Sequence, residues 1–223
     1  MVANTCQFVS LQLKYTQETL QLISQIAPLL KRLSGLYGVP PIAVAGSIAD
    51  EFNTRTGFRT VVDWFQDDVL LNYMPNSFIR IDAWAGFNTK LLNATKHDLG
   101  TGNIKLETAR TIYLRYRDKF AKEPMDWSQL VDFIRSDEGT VQIAALVIKR
   151  GQELLGPYIA KYEDDVAEAV LVTYYKQGDA YVNRFLQKGP QGVADAVRFI
   201  QPGEGCRVLL QRERFKQALG LTQ

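Results

Sequence analysis

Apolar and polar residues alternate over Val9, Leu11, Leu13 and Tyr15, a period of two that predicts one short strand. From Thr16 the period changes. Leu20, Ile23, Ile26, Leu30 and Leu33 recur at spacings of three and four, which predicts an amphipathic helix closed by Gly35 and Gly38. Pro40-Pro41 opens a second helix over PPIAVAGSIADEF, with proline in the first turn, where its missing N–H is no loss. Beyond Gly57, helical spacing returns around 61–73 and 78–92, broken at Pro75. A glycine-bearing loop, 97–103, leads to a helix over about 107–120. Asp126 and Gln129 form a capping-box pattern ahead of WSQLVDFIRS. Residues 137–155 and 166–176 read as helices, the second ended by Gly178. Two shorter stretches follow, and a last helix covers about 206–219. The pattern adds up to an all-α fold in a single domain, 1–223, with the short N-terminal strand as its one departure.

Composition narrows the class. A chain of 223 residues with 46% hydrophobic and 22% charged residues can bury a core without disulfides or metals. The net charge of +2 and pI near 8.4 are too mild for a nucleic-acid partner, and suit an anionic polymer without demanding one. Cys6 and Cys206 lie near opposite ends of the chain. A disulfide there would tie the ends together, but two isolated cysteines are the usual pattern of free thiols in a reducing cytoplasm, so free thiols are expected. His97 is the only histidine, and no Cys/His cluster has ligand spacing, so neither metal nor cofactor is expected. Met1 to Tyr15 lacks a basic start followed by an apolar run, so no signal peptide is expected, and no stretch is long and apolar enough to span a bilayer.

One acid stands out on the second helix. On a wheel of about 100° per residue, Pro41, Val44, Ala45, Ile48 and Phe52 share an arc, Glu51 sits at its edge, and Asp50 points away toward the expected solvent side. Glu51 also falls in the last helical turn, where the macrodipole disfavours a carboxylate by roughly 0.3–1 kcal/mol. Apolar neighbours act in the same direction and favour the protonated carboxyl, the condition a general acid needs. Taken alone, the same pattern also fits a boundary residue reaching water.

Three segments in order change that balance. PPIAVAGSIADEFNTRTG (40–57) resembles the catalytic-helix segment of soluble lytic transglycosylases and the wider lysozyme-like superfamily, with Glu51 in the place of the catalytic glutamate. DLGTGNIKLETA (98–109) resembles the family's Gly-x-x-Gln-Ile-x-Pro-x-Thr-Ala loop. Gly100, Ile104, Thr108 and Ala109 match, Asn103 stands where glutamine is usual, and Leu106 replaces the proline. AVLVTYYKQGDAYVNRF (169–185) resembles the Tyr-Asn-Ala-Gly segment, with Tyr175 and Gly178 matching and Lys176 and Gln177 departing. Residues 140–155 resemble the helix between the last two motifs. The resemblance spans about 40–185. The segment 55–97 stands as an insertion, as in effector-type and phage-type muramidases, and carries Trp64, Trp84, Phe58, Phe78 and Phe87.

The resemblance implies cleavage of the MurNAc–GlcNAc bond of bacterial cell wall, with Glu51 as proton donor. Gly100, Asn103, Ile104 and Tyr175 become substrate-binding candidates. A glycine loop lets backbone approach a sugar, an amide can hold an N-acetyl group, and a tyrosine packs on a ring. With Glu51 alone the product is an anhydro sugar; a second carboxylate positioning water makes the enzyme a muramidase. Asp98 is the first candidate for that second group, ahead of Asp82 and Asp68. The resemblance further implies an antibacterial effector or lysin, exported by a dedicated secretion or lysis route to the periplasm, and a cognate inhibitor protein as partner. Arg207, Arg212, Arg214 and Lys216 make the last helix basic, which reads as a solvated face. The departures at Asn103, Leu106 and Lys176 keep an alternative open: an inactive lysozyme-like module that binds cell-wall glycan or a partner protein.

Overall fold

The computed structural model describes residue 6 and residues 14–53, 98–121, 124–188 and 202–222. The helices expected at 61–73 and 78–92, the strand positions 9–13, and His97 lie outside them; Lys14 and Tyr15 carry no strand. The described fold is all-α apart from one very short hairpin. Its elements are α1 (Gln17–Tyr37), α2 (Pro41–Asn53), β1 (Asp98–Leu99), β2 (Ile104–Lys105), α3 (Leu106–Arg115), α4 (Trp127–Arg135), α5 (Asp137–Ile159), α6 (Asp164–Gln177), α7 (Asp179–Lys188), α8 (Cys206–Leu210) and α9 (Arg212–Leu219). Among the described residues no helix is long and apolar enough to cross a membrane.

The chain forms two compact units: residues 1–50 with 144–223, and residues 51–143. In the first, α1 starts where the Thr16 hydroxyl accepts the Thr19 N–H and stops where Gly38 turns left-handed at φ 65. No basic residue of its own occupies its last turn. Lys149 of α5 reaches over and donates to the Tyr37 carbonyl at 3.1 Å, meeting the negative end of the helix. α1 packs on α9, and the Tyr15 ring stands edge-on to Phe215 at 5.0 Å. α2 is buried continuously from Ile42 to Asp50. Gly46 brings it close to α8, since a Cβ there would sit 2.6 Å from a Val208 methyl carbon.

Cys6 and Cys206 form a disulfide, with Cα atoms 5.5 Å apart, and both residues are buried. The expectation of free thiols is therefore corrected. Sequence spacing alone does not reveal that the two ends meet. The single basic helix expected over 206–219 is likewise two, α8 and α9, separated at Gln211.

The second unit is smaller. The capping box forms as expected: the Asp126 carboxylate accepts the Gln129 N–H at 2.9 Å, and the Gln129 side chain accepts the Asp126 N–H at 3.0 Å. Phe120 stacks edge-on with both Tyr113 and Phe133. Arg110 lies over the Tyr113 and Trp127 rings and donates to the Met125 carbonyl, joining α3 to the start of α4. The hairpin pairs Asp98 with Lys105 and Leu99 with Ile104, and packs against α3 and α4.

Candidate functional site

The hairpin turn, residues 100–103, is closed by the Asn103 N–H donating to the Gly100 carbonyl at 3.2 Å. Two of its residues take the left-handed conformation, Gly100 at φ 68 and Asn103 at φ 49. Gly100 is glycine for a second reason. A Cβ there would fall 2.5 Å from the Ile134 carbonyl oxygen and 2.6 Å from the Thr140 hydroxyl. Those two groups are already hydrogen-bonded to each other at 2.6 Å. The missing Cβ thus seats the turn on the α4–α5 junction.

Asn103 is the only non-glycine at positive φ among the described residues. A side chain in that region costs free energy that glycine would avoid, and asparagine tolerates it better than most. Its amide Nδ2 donates to Glu51 Oε2 at 3.1 Å. Glu51 is half-buried in the last turn of α2. The acid singled out on the second helix and the polar residue singled out in the glycine loop, remote in sequence, are therefore in direct contact within one unit.

The other expected site residues distribute as follows. Asp98 begins β1 opposite Lys105. Ile104 is buried at 3% exposure and belongs to the unit's core. Tyr175 is half-buried on α6, in the first unit. Asp68, Asp82 and the aromatics of 55–97 lie outside the described residues. Among the described residues, no group of three or more His, Cys, Asp or Glu side chains could hold a metal ion.

Asp50 corrects the helical wheel. It is fully buried, not solvent-facing. Arg207 donates to its Oδ1 at 2.8 Å and the Tyr15 hydroxyl lies 3.4 Å from the same oxygen. Lys176 Nζ is 3.1 Å from Oδ2, an ion pair whose geometry is off the hydrogen-bond line, so Oδ2 has no aligned donor. Burial raises the Tyr15 phenol well above its ordinary range, the Asp50 carboxylate adds to this, and Arg207 opposes it. The wheel failed because α2 is apolar nearly all round, and such a helix has no solvent side.

The basic tail is also engaged. Besides Arg207 on Asp50, Arg212 grips Glu168 with two bonds of 2.7 and 3.1 Å, Arg214 donates to the Tyr15 carbonyl at 3.2 Å, and Lys216 pairs with Glu213 at 2.7 Å. The expected solvated face is corrected for the three arginines, which anchor the tail, whereas Lys216 pairs within its own helix with a carboxylate that stays 70% exposed. Next to Tyr175, sequence reading missed Tyr174. Its ring packs where Gly151 lacks a Cβ, its hydroxyl donates to Asp179 at 3.0 Å, and Arg150 donates to that hydroxyl and to Asp179. Burial, helped by Asp179 and opposed by Arg150, pushes this phenol upward as well. Comparison with protein-family models, curated proteins and solved structures finds no match to this chain.

Proposed function

We propose that this chain is a peptidoglycan glycosidase of lysozyme-like type, cleaving the MurNAc–GlcNAc bond by general acid catalysis from Glu51. The observation that carries the reading is the 3.1 Å hydrogen bond from Asn103 to the Glu51 carboxyl. It joins two of the three segments that resemble those of lytic transglycosylases. A half-buried carboxyl at the end of a buried helix is held by that helix and keeps access to a ligand.

In the reaction Glu51 gives its proton to the glycosidic oxygen as the bond to the anomeric carbon breaks, so the leaving sugar departs as an alcohol and Glu51 becomes a carboxylate. In the anhydro-forming path the substrate's own 6-hydroxyl then attacks the anomeric carbon and returns its proton to Glu51. In the hydrolytic path a water does so, steered by a second carboxylate, for which Asp98 is the first candidate. The Cys6–Cys206 disulfide supports action in an oxidising compartment such as the periplasm. An antibacterial effector or lysin with a cognate inhibitor fits that setting.

The test uses purified wild type and Glu51→Gln on isolated sacculi. Soluble muropeptides from the wild type and none from the variant are expected, with mass spectrometry reading anhydro or reducing ends. Sacculi left intact by both proteins would overturn the reading.

A further inference from the structure

We infer that the Cys6–Cys206 pair is a redox switch acting on the end of α2 that carries Glu51. Oxidation of the pair and the Arg207–Asp50 ion pair favour one another, and the dithiol is the less active form. The effect on activity rests on the glycosidase reading above; the coupling itself does not.

The last turn of α2 does not balance its own charge. It holds two acids, Asp50 and Glu51, and no basic residue, at the end of the helix where the macrodipole is already negative. The compensating cations come from elsewhere in the chain, Lys176 on α6 and Arg207 on α8. Glu51 follows Asp50 in that turn, so whatever holds residue 50 also holds the backbone that carries the acid.

Three successive residues of α8 close this contact. Cys206 is bonded to Cys6, Arg207 donates to Asp50 Oδ1 at 2.8 Å, and Val208 packs where Gly46, one turn earlier on α2, lacks a Cβ. Tyr15, downstream of Cys6, brings its hydroxyl to 3.4 Å from the same Asp50 oxygen, while its N–H and carbonyl are held by Gln211 and Arg214. All of these residues belong to the first unit. A helix as short as α8 is not stable alone, so Arg207 is presented only as firmly as α8 is tied down. One tie is independent of the sulfurs: the Gly205 N–H donates to the Thr173 hydroxyl at 3.1 Å. The disulfide adds a second at the next residue. Reduction therefore loosens α8 about Gly205 without releasing it. By linkage, the factor by which the disulfide strengthens the ion pair is the factor by which the ion pair strengthens the disulfide.

Setting the switch takes two electrons and two protons from the thiols to a disulfide oxidant, which leaves as two thiols. With glutathione disulfide, one cysteine displaces a glutathione to form a mixed disulfide, and the other then displaces the second. Once joined, Cys6 and Cys206 are only 2% and 1% exposed, so a small thiol reaches the bond only when the structure opens. The chain is thus slow in a reducing compartment and fully active in an oxidising one.

The experiment equilibrates wild type, Arg207→Met, Val208→Ala and Tyr174→Phe in glutathione buffers, from the dithiol and the disulfide side. The oxidised fraction is read by thiol alkylation and mass spectrometry, at a temperature where circular dichroism shows both forms folded. Arg207→Met should lower the equilibrium constant for the disulfide about tenfold. Val208→Ala should lower it too, and Tyr174→Phe, which loses a contact elsewhere in the unit, should leave it unchanged. On sacculi the wild-type dithiol should release muropeptides about tenfold more slowly than the disulfide, and recover on reoxidation. Arg207→Met should be slow in both states. Equal constants for wild type, Arg207→Met and Val208→Ala would overturn the coupling, and equal activity of the two wild-type forms would overturn the switch. So would a dithiol that is unfolded at every temperature, since the switch needs a folded reduced form. A wild type that releases nothing in either state overturns the glycosidase reading and the effect on activity, while the glutathione equilibrium still decides the coupling.

Discussion

Replacing Asp50 with asparagine keeps the shape of a fully buried side chain and an acceptor for Arg207, but removes the charge that two cations share. Lys176 and Arg207 keep only 18% and 16% of their side-chain surface exposed. Neither can recover full hydration without moving. Breaking a buried ion pair by deleting one partner costs about 3–5 kcal/mol. The remaining acceptor and the cations' partial exposure place this case at about 3 kcal/mol. For a chain of this length each kcal/mol moves the midpoint by about 2–4 °C, so Asp50→Asn should melt about 6–12 °C below the wild type. Far-UV circular dichroism with the disulfide intact reads this directly, and Asp132→Asn, exposed on α4, serves as a control that should move by about 1 °C or less. Adding Lys176→Met to Asp50→Asn should restore part of the loss, because it removes one of the two cations that faced the lost carboxylate. A midpoint within about 2 °C of wild type for Asp50→Asn, or strict additivity in the double variant, would refute the argument that this carboxylate holds the unit together.

Reduction of the Cys6–Cys206 disulfide, or Cys6→Ser, opens a closure spanning 200 residues, and should cost about 5 kcal/mol by the chain-entropy argument; an unchanged melt in reductant would contradict it. Tyr15, Tyr174 and Tyr181 all have phenols raised chiefly by burial. The unfolded chain ionises them near pH 10 and the folded chain only above that, so their stabilisation is complete below about pH 10 and is lost as pH rises beyond it. Denaturant midpoints at pH 8 and 11 should show the fall, and absorbance at 295 nm should show these phenols titrating late. Gly205→Ala would force a Cβ into the Ala169 carbonyl and should destabilise severely, whereas Gly35→Ala, with open space around it inside α1, should stabilise by about 0.5–1 kcal/mol; paired thermal melts check both.

Local signals were legible wherever the chemistry of a few neighbouring residues decides the outcome. The Gly38 cap, the Pro40-Pro41 start and the Asp126–Gln129 capping box are all of this kind, each set by backbone groups within one turn. The pairing of Glu51 with the glycine loop was legible only through resemblance, because no periodicity links residues so far apart. Asp50 was misread because a wheel weighs a helix's own residues, whereas Arg207, Lys176 and Tyr15 arrive from elsewhere in the chain. The basic tail was misread for the same reason: its carboxylate partners Asp50 and Glu168 are far away in sequence. Tyr174 was passed over for Tyr175, since the decisive cue, a missing Cβ at Gly151, is a property of packing between two helices.

A bond between residues 6 and 206 turns most of the polypeptide into a closed ring. A ring cannot follow its own end through an aperture sized for a single strand; it must enter doubled back on itself. Any export machine that threads this chain in single file therefore has to receive it as the dithiol. For a chain exported in that way, the oxidation step falls on the far side of the membrane, after passage.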